Sequence, residues 1–174
     1  MGQAKQRGTE AERIKQNQMT KCIHEAAHCF FAYHAFGVDS FEYVSVDTNE
    51  IMKRESGNPQ GAVNLACEDT FGGAVMLRAS KAMVGSQEMD IVLFAGAAAS
   101  IAMTNIRKQE AYNGGDIDFR MSSLRPENYK DFCDGIANTL STHKEQISTI
   151  QAIADKLYEK RTLEAEEVVE IIEA

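Results

Sequence analysis

The sequence lacks a hydrophobic run long enough to cross a bilayer, for which a helix needs about 18 or more apolar residues. Its richest run, from Ile91 to Met103, is short and full of alanine. A basic block is also missing after the first fifteen residues, and the net charge is −8. A chain of this charge is a poor match for a nucleic acid. We therefore expect neither a membrane nor a nucleic acid as a partner.

Cysteine is scarce and forms no CxxC pair, since the four cysteines are Cys22, Cys29, Cys67 and Cys133. Three of them lie in apolar periodic segments, where we expect reduced, buried thiols. Residues 1–18 are polar, have no signal-peptide core and predict an N-terminal arm or helix. These features predict a cytoplasmic protein, and 174 residues are enough for one domain with a substantial core.

One stretch carries chemistry: His24-Glu25-Ala26-Ala27-His28, which has the H-E-x-x-H pattern. Residues four apart on a helix are turned by about 400°, so both imidazoles lie on one face and can bind one Zn²⁺. Glu25 lies about 100° round the helix from His24, where it can take a proton from a zinc-activated water. The pattern predicts a zinc-dependent metallopeptidase that hydrolyses peptide bonds with Glu25 as general base.

The surroundings of the motif favour a metal site over two ordinary helical histidines. Apolar residues at helical spacing predict a buried helix from about Thr20 to Phe36 that ends at Gly37. The histidines border the apolar face of that helix. Buried imidazoles need partners, and a metal would be one.

Outside the motif, the sequence predicts mostly helix with a small antiparallel sheet, which is an α+β fold. Residues 41–48 predict one strand and residues 61–67 a weaker second strand, with a polar loop over residues 49–60 between them. An extended peptide could add to such a sheet edge as a further strand, although a purely structural hairpin is the alternative. The sequence of residues 71–85 does not distinguish between a helix and a strand.

Three further helices are predicted in the second half of the chain. They cover residues 87–107 with Ser86 as N-cap, residues 126 to about 160 with Pro126 at the first position, and residues 163–172 capped by Thr162.

A catalytic zinc needs a third protein ligand and an open position for water. His34 stands where the H-E-x-x-H-x-x-G-x-x-H metalloproteases have their third histidine, but Phe31 replaces their glycine. If the helix continues, His34 lies about 240° round from His28 and faces away, so we reject it. Asp116 and Asp118 lie at a predicted helix start, where carboxylates usually act as caps. The functional alternative is that one of these two aspartates is the third zinc ligand.

HEAAH, the strand at residues 41–48, the alanine-rich helix and the Gly115-Asp116-Ile117 turn together resemble the peptidase domain of the FtsH family. That family consists of membrane-bound, ATP-dependent zinc metalloproteases with a zincin-like HExxH helix. Its motif is usually H-E-A-G-H, and its third ligand is an aspartate in an S-N-D-[IL]-like turn that opens a helix.

The resemblance implies that residues 19–174 form a single zinc peptidase domain that cleaves unfolded or extended polypeptides, or small peptides. It also implies a metal site made by His24, His28 and Asp116, with Asp118 as the fallback. Because the family assembles in rings, a homo-oligomer is a further implication.

Some family features are missing. Gly96-Ala97-Ala98-Ala99-Ser100 replaces the family's G-R-x-A-E segment, so its Arg and Glu are lost. The sequence has no G-x-x-x-x-G-K-[ST] loop, which predicts a peptidase that is ATP-independent on its own or served by a separate ATPase partner. The lost charges motivate an alternative, a catalytically inactive zinc-binding domain with an interaction or regulatory role.

Overall fold

The structure is a computed structural model that describes residues 9–55, 73–77, 85–125 and 127–174. Within these residues the fold is mainly helical with a small antiparallel sheet, which confirms the α+β class. None of the helices described here is long and apolar enough to span a membrane. The elements are α1 (Glu10–Phe36), β1 (Phe41–Ser45), α2 (Thr48–Glu55), β2 (Ala74–Leu77), α3 (Gln87–Met103), α4 (Lys108–Gly114), α5 (Asp116–Met121), α6 (Tyr129–Thr142), α7 (Lys144–Lys160), β3 (Thr162–Glu164) and α8 (Ala165–Glu173).

Helix α1 begins at Glu10, well before the predicted start at Thr20. Thr9 and Glu12 form a capping box: Thr9 Oγ1 accepts the Glu12 N–H at 3.3 Å, and Glu12 Oε2 accepts the Thr9 N–H at 2.7 Å. The described part of the polar N-terminal stretch is therefore helical. The other end was predicted correctly, because α1 ends at Phe36 and Gly37 takes a φ of +88° that glycine tolerates.

The sheet has the order β2-β1-β3, and both pairings are antiparallel. The predicted strand at residues 61–67 lies outside the described residues, whereas the open segment 71–85 contains β2. Thr162 was predicted to cap the last helix, and this was wrong. It lies in β3 instead, where its hydroxyl is 2.8 Å from that of Ser45 on β1. The capping residue of α8 is Glu164, in a capping box with Glu167.

Three predicted boundaries in the rest of the chain were wrong. The loop predicted at 49–60 begins as α2, because Asp47 Oδ1 accepts the N–H groups of Asn49 at 2.9 Å and Glu50 at 3.3 Å. The predicted helix 87–107 ends at Met103, and α4 follows. The predicted helix 126–160 is two helices, since His143 leaves helical geometry at φ −112° and ψ 82°. Pro126 lies outside the described residues.

The core is built on the packing of α1 against α3, with α7 and the sheet also on α1 and α6 on α3. Small residues make the central contact close: Ala26 of α1 and Ala95, Ala98 and Ala99 of α3 are fully buried. Cys22, Cys29 and Cys133 are free and buried, as expected for core thiols, while Cys67 lies outside the described residues. The H-E-x-x-H motif therefore lies on the helix whose contact with α3 forms the centre of the described core.

Candidate metal centre

Helix α1 presents His24 and His28 side by side at its interface with α3. The centroids of the two rings are 4.8 Å apart, at an interplanar angle of 73°. His28 is buried and His24 is partly exposed, with 14% of its side-chain surface accessible. One imidazole is thus fixed in the core while the other borders solvent.

Asp118 of α5 completes a group of three metal-binding side chains. Its Oδ2 lies 3.5 Å from His24 Nε2 and 3.6 Å from His28 Nε2, and all three ligand atoms lie within 4.8 Å of one another. Ligands held at about 2.1 Å from a tetrahedral Zn²⁺ would be about 3.4 Å apart. The two separations between histidine and aspartate are close to this value, so two imidazoles and one carboxylate form a group that could hold a metal ion.

The sequence favoured Asp116 as the third ligand and kept Asp118 as the fallback. The structure brings Asp118 to the histidines. Asp116 is the first residue of α5, and its side chain lies outside the described part of the structure, so its role as a ligand stays a prediction.

His34, rejected on sequence grounds, does not belong to the group. Helix α1 continues through position 34 without a break, and the His34 ring is exposed. It contacts the rings of Phe30 and Tyr33, with centroids 4.4 and 5.3 Å away. Its place on the outside of the helix follows from the uninterrupted helical geometry.

The backbone of α3 orients His28. Its Nδ1 lies 2.7 Å from the carbonyl oxygen of Val92. A carbonyl can only accept, so Nδ1 carries the hydrogen and Nε2 is the nitrogen turned toward Asp118. Metal-binding histidines use this arrangement, in which the far ring nitrogen donates to a carbonyl and fixes the ring.

The charged groups of this site shift each other's pKa values. Burial lowers the pKa of His28, but the negative charges of Asp118 and Glu25 outweigh it and raise this pKa to about 9. Burial raises the pKa of Asp118, yet the two imidazoles bring it well below its usual range. The Asp118 carboxylate and the two imidazoles therefore favour each other's charged forms.

Glu25 points into the same region and is only 8% exposed. Burial raises the pKa of its carboxyl group, and the imidazoles of His24 and His28 only partly offset the effect. A carboxylate with a raised pKa accepts a proton more readily, which is what a general base requires.

Two glycines make room for these side chains. A Cβ at Gly96 of α3 would lie 2.5 Å from the Nε2 atoms of both His24 and His28. A Cβ at Gly73, just before β2, would lie 2.2 Å from Glu25 Oε1. Gly96 lies within an alanine cluster of α3. The structure shows that the surface packed against it is the pair of imidazoles.

No protein-family model matches this chain, and no curated protein matches it significantly. Its function must be inferred from the site's own residues.

Proposed function

We propose that this chain is a zinc-dependent metallopeptidase in which His24, His28 and Asp118 bind the metal and Glu25 is the general base. The observation that carries the proposal is the approach of both histidine Nε2 atoms to one Asp118 oxygen, at 3.5 and 3.6 Å. Among the described residues the group has three members, and three ligands with an adjacent carboxylate match a catalytic zinc site, whereas a structural site is closed by a fourth protein ligand.

Zinc bound here would supply a Lewis acid that polarises the scissile carbonyl and lowers the pKa of a water. Glu25, adjacent to His24 in the chain, would accept a proton at its carboxylate and pass it to the leaving amine. The Gly73 backbone lies close to Glu25 Oε1, and Glu25 is 8% exposed. The hydrogen bond from His28 Nδ1 to Val92 holds the imidazole in the orientation that the metal needs.

An extended polypeptide is the substrate that this surface fits best. Gly73 leads directly into β2, which stands at the edge of the three described strands. A peptide added along β2 would pass close to Glu25. The FtsH-type fold of the domain, a cytoplasmic location and a homo-oligomer or separate ATPase partner belong to the same proposal.

The substitution Glu25→Gln tests this function. The variant should keep its zinc and lose cleavage of an unfolded, fluorescently labelled polypeptide by at least about 100-fold, the usual contribution of a general base. His34→Ala, on the outside of the same helix, is the control and should leave both zinc content and cleavage unchanged. A Glu25→Gln protein that cleaves like the wild type would refute the assigned base. A wild-type protein that binds zinc but cleaves nothing would support the non-catalytic alternative.

A further inference from the structure

The ligand Asp118 is carried by α5, a helix of only six residues. A helix this short does not hold its shape alone in water, so contacts with the rest of the fold must fix it. Two of its own apolar side chains contribute little to packing against the core, since Ile117 and Met121 are 65% and 66% exposed. The position of Asp118 must therefore be set by a few other contacts.

One of these contacts is a stack of aromatic rings. Phe119, next to Asp118 in the chain, lies between Phe94 of α3 and Tyr129 of α6. Both centroid distances are 4.7 Å, and the interplanar angles are 23° and 26°. The stack holds the middle of α5 in place. It does not stop the helix from rotating about the stacking axis, so another contact must limit that rotation.

A second contact is made by a buried carboxylate. Asp90, in the first turn of α3, is 4% exposed, and its two oxygens both accept hydrogen bonds from Ser123, which follows α5. Oδ1 accepts the Ser123 N–H at 2.8 Å, and Oδ2 accepts the Ser123 hydroxyl. Burying a carboxylate is costly unless donors are directed at it, and the N-terminal end of α3 further favours its negative charge.

We propose that Asp90 is a positioning residue of the metal centre. Through Ser123 it fixes the end of α5 and so the placement of Asp118. Two residues further along α3, the Val92 carbonyl orients His28. The first turns of α3 thus set two of the three ligands relative to each other, although they contribute none. This inference rests on the proposed zinc function.

The test measures zinc affinity by competition with a chelator in Asp90→Ala and Asp90→Asn. The Ala variant removes both hydrogen bonds and should weaken zinc binding by about 10- to 100-fold, the usual effect of losing a group that orients a ligand. The Asn variant should stay within about threefold of wild type, because its amide can accept from the Ser123 N–H and donate to the hydroxyl. The visible spectrum of the Co²⁺-loaded protein should change in Asp90→Ala and be restored in Asp90→Asn.

Ser86→Ala is the matched control for general weakening of α3. Ser86 Oγ accepts the Met89 N–H at 3.1 Å, so the change destabilises the same end of the helix without touching Ser123. It should leave zinc affinity and the Co²⁺ spectrum unchanged. Equal losses in Asp90→Ala and Ser86→Ala would overturn the positioning role, and so would wild-type affinity in Asp90→Ala.

Amide hydrogen exchange of the metal-free proteins separates this inference from the proposed function. Exchange at residues 117–121 should accelerate in Asp90→Ala and not in Ser86→Ala. A wild-type protein that binds no zinc would overturn the proposed function and the metal-centre role of Asp90. Zinc bound by the wild type, with unchanged exchange and affinity in Asp90→Ala, would overturn the role of Asp90 alone.

Discussion

Helices α1 and α5 contribute to the same site in different ways. Helix α1 has 27 residues and carries two of the proposed ligands and the proposed base at fixed spacing, so its own geometry brings them together. Helix α5 has six residues and carries the third proposed ligand, and stacking and hydrogen bonds hold this helix at the site. The first arrangement is local, and the second depends on the tertiary fold.

Removing an α1 ligand should give the largest effect. We expect His28→Ala to weaken zinc binding by more than about 100-fold, because changes to groups behind the ligands alone cost about 10- to 100-fold. Zinc titration of the purified variant measures this. Zinc affinity close to that of the wild type would mean that the motif helix is not the metal site.

Gly96→Ala tests the contact between α1 and α3 at the site. The added Cβ would lie 2.5 Å from both Nε2 atoms, so the imidazoles must shift and zinc affinity should fall by at least about tenfold. Gly135→Ala in α6 is the control, since nothing lies within 4 Å of its added Cβ. It should keep zinc affinity and raise the free energy of unfolding by about 0.5–1 kcal/mol. Unchanged zinc binding in Gly96→Ala would contradict the described packing.

Gly73→Ala separates the base from the metal. Its Cβ would meet Glu25 Oε1 at 2.2 Å and should lower kcat about tenfold or more, with zinc content unchanged. Gly114→Ala, whose Cβ meets nothing within 4 Å, is the control and should not change kcat. Loss of zinc together with activity would show that Gly73 acts on the ligands and not on Glu25 alone.

A further effect, on stability and not on zinc binding, concerns Cys133 in α6, on the side of α3 that supports α5. Burial raises the pKa of its thiol to about 12, with a further contribution from Asp134. The stabilising neutral thiol is fully present below the unfolded pKa of about 8.5 and is lost as pH rises toward the folded value. The free energy of unfolding should therefore fall between pH 8 and pH 10, by up to about 2 kcal/mol from this group.

Urea denaturation at the two pH values, with Cys133→Ala beside the wild type, measures the contribution of Cys133. The variant should lose less stability over this interval than the wild type does. Equal losses would mean that the thiol titrates normally and that the α3–α6 contact is open to solvent.

The α1 half of the site could be predicted because H-E-x-x-H spacing is a property of one helix. The C-terminal end of that helix could also be predicted, because Gly37 is a common residue just after a helix. The third ligand could not be chosen the same way. Residues two apart on a helix differ by about 200°, so the choice between Asp116 and Asp118 depends on where α5 begins and how it is oriented.

Other errors have the same origin. Thr162 resembles a helix cap, but pairing with β1 over more than a hundred residues of sequence separation places it in a strand. Gly96 and Asp90 carry no motif, and their roles appear only when α3 is packed against α1 and the end of α5. The Thr9 and Asp47 caps, by contrast, were present in the sequence as local signals.

The most direct test of the central claim is the zinc content of Asp118→Ala beside Asp116→Ala. The two variants each remove one carboxylate from the same short helix, so each controls for the other. We predict about one zinc per chain in the wild type and in Asp116→Ala, and none in Asp118→Ala. Zinc lost from Asp116→Ala and retained by Asp118→Ala would contradict the ligand set proposed for this site.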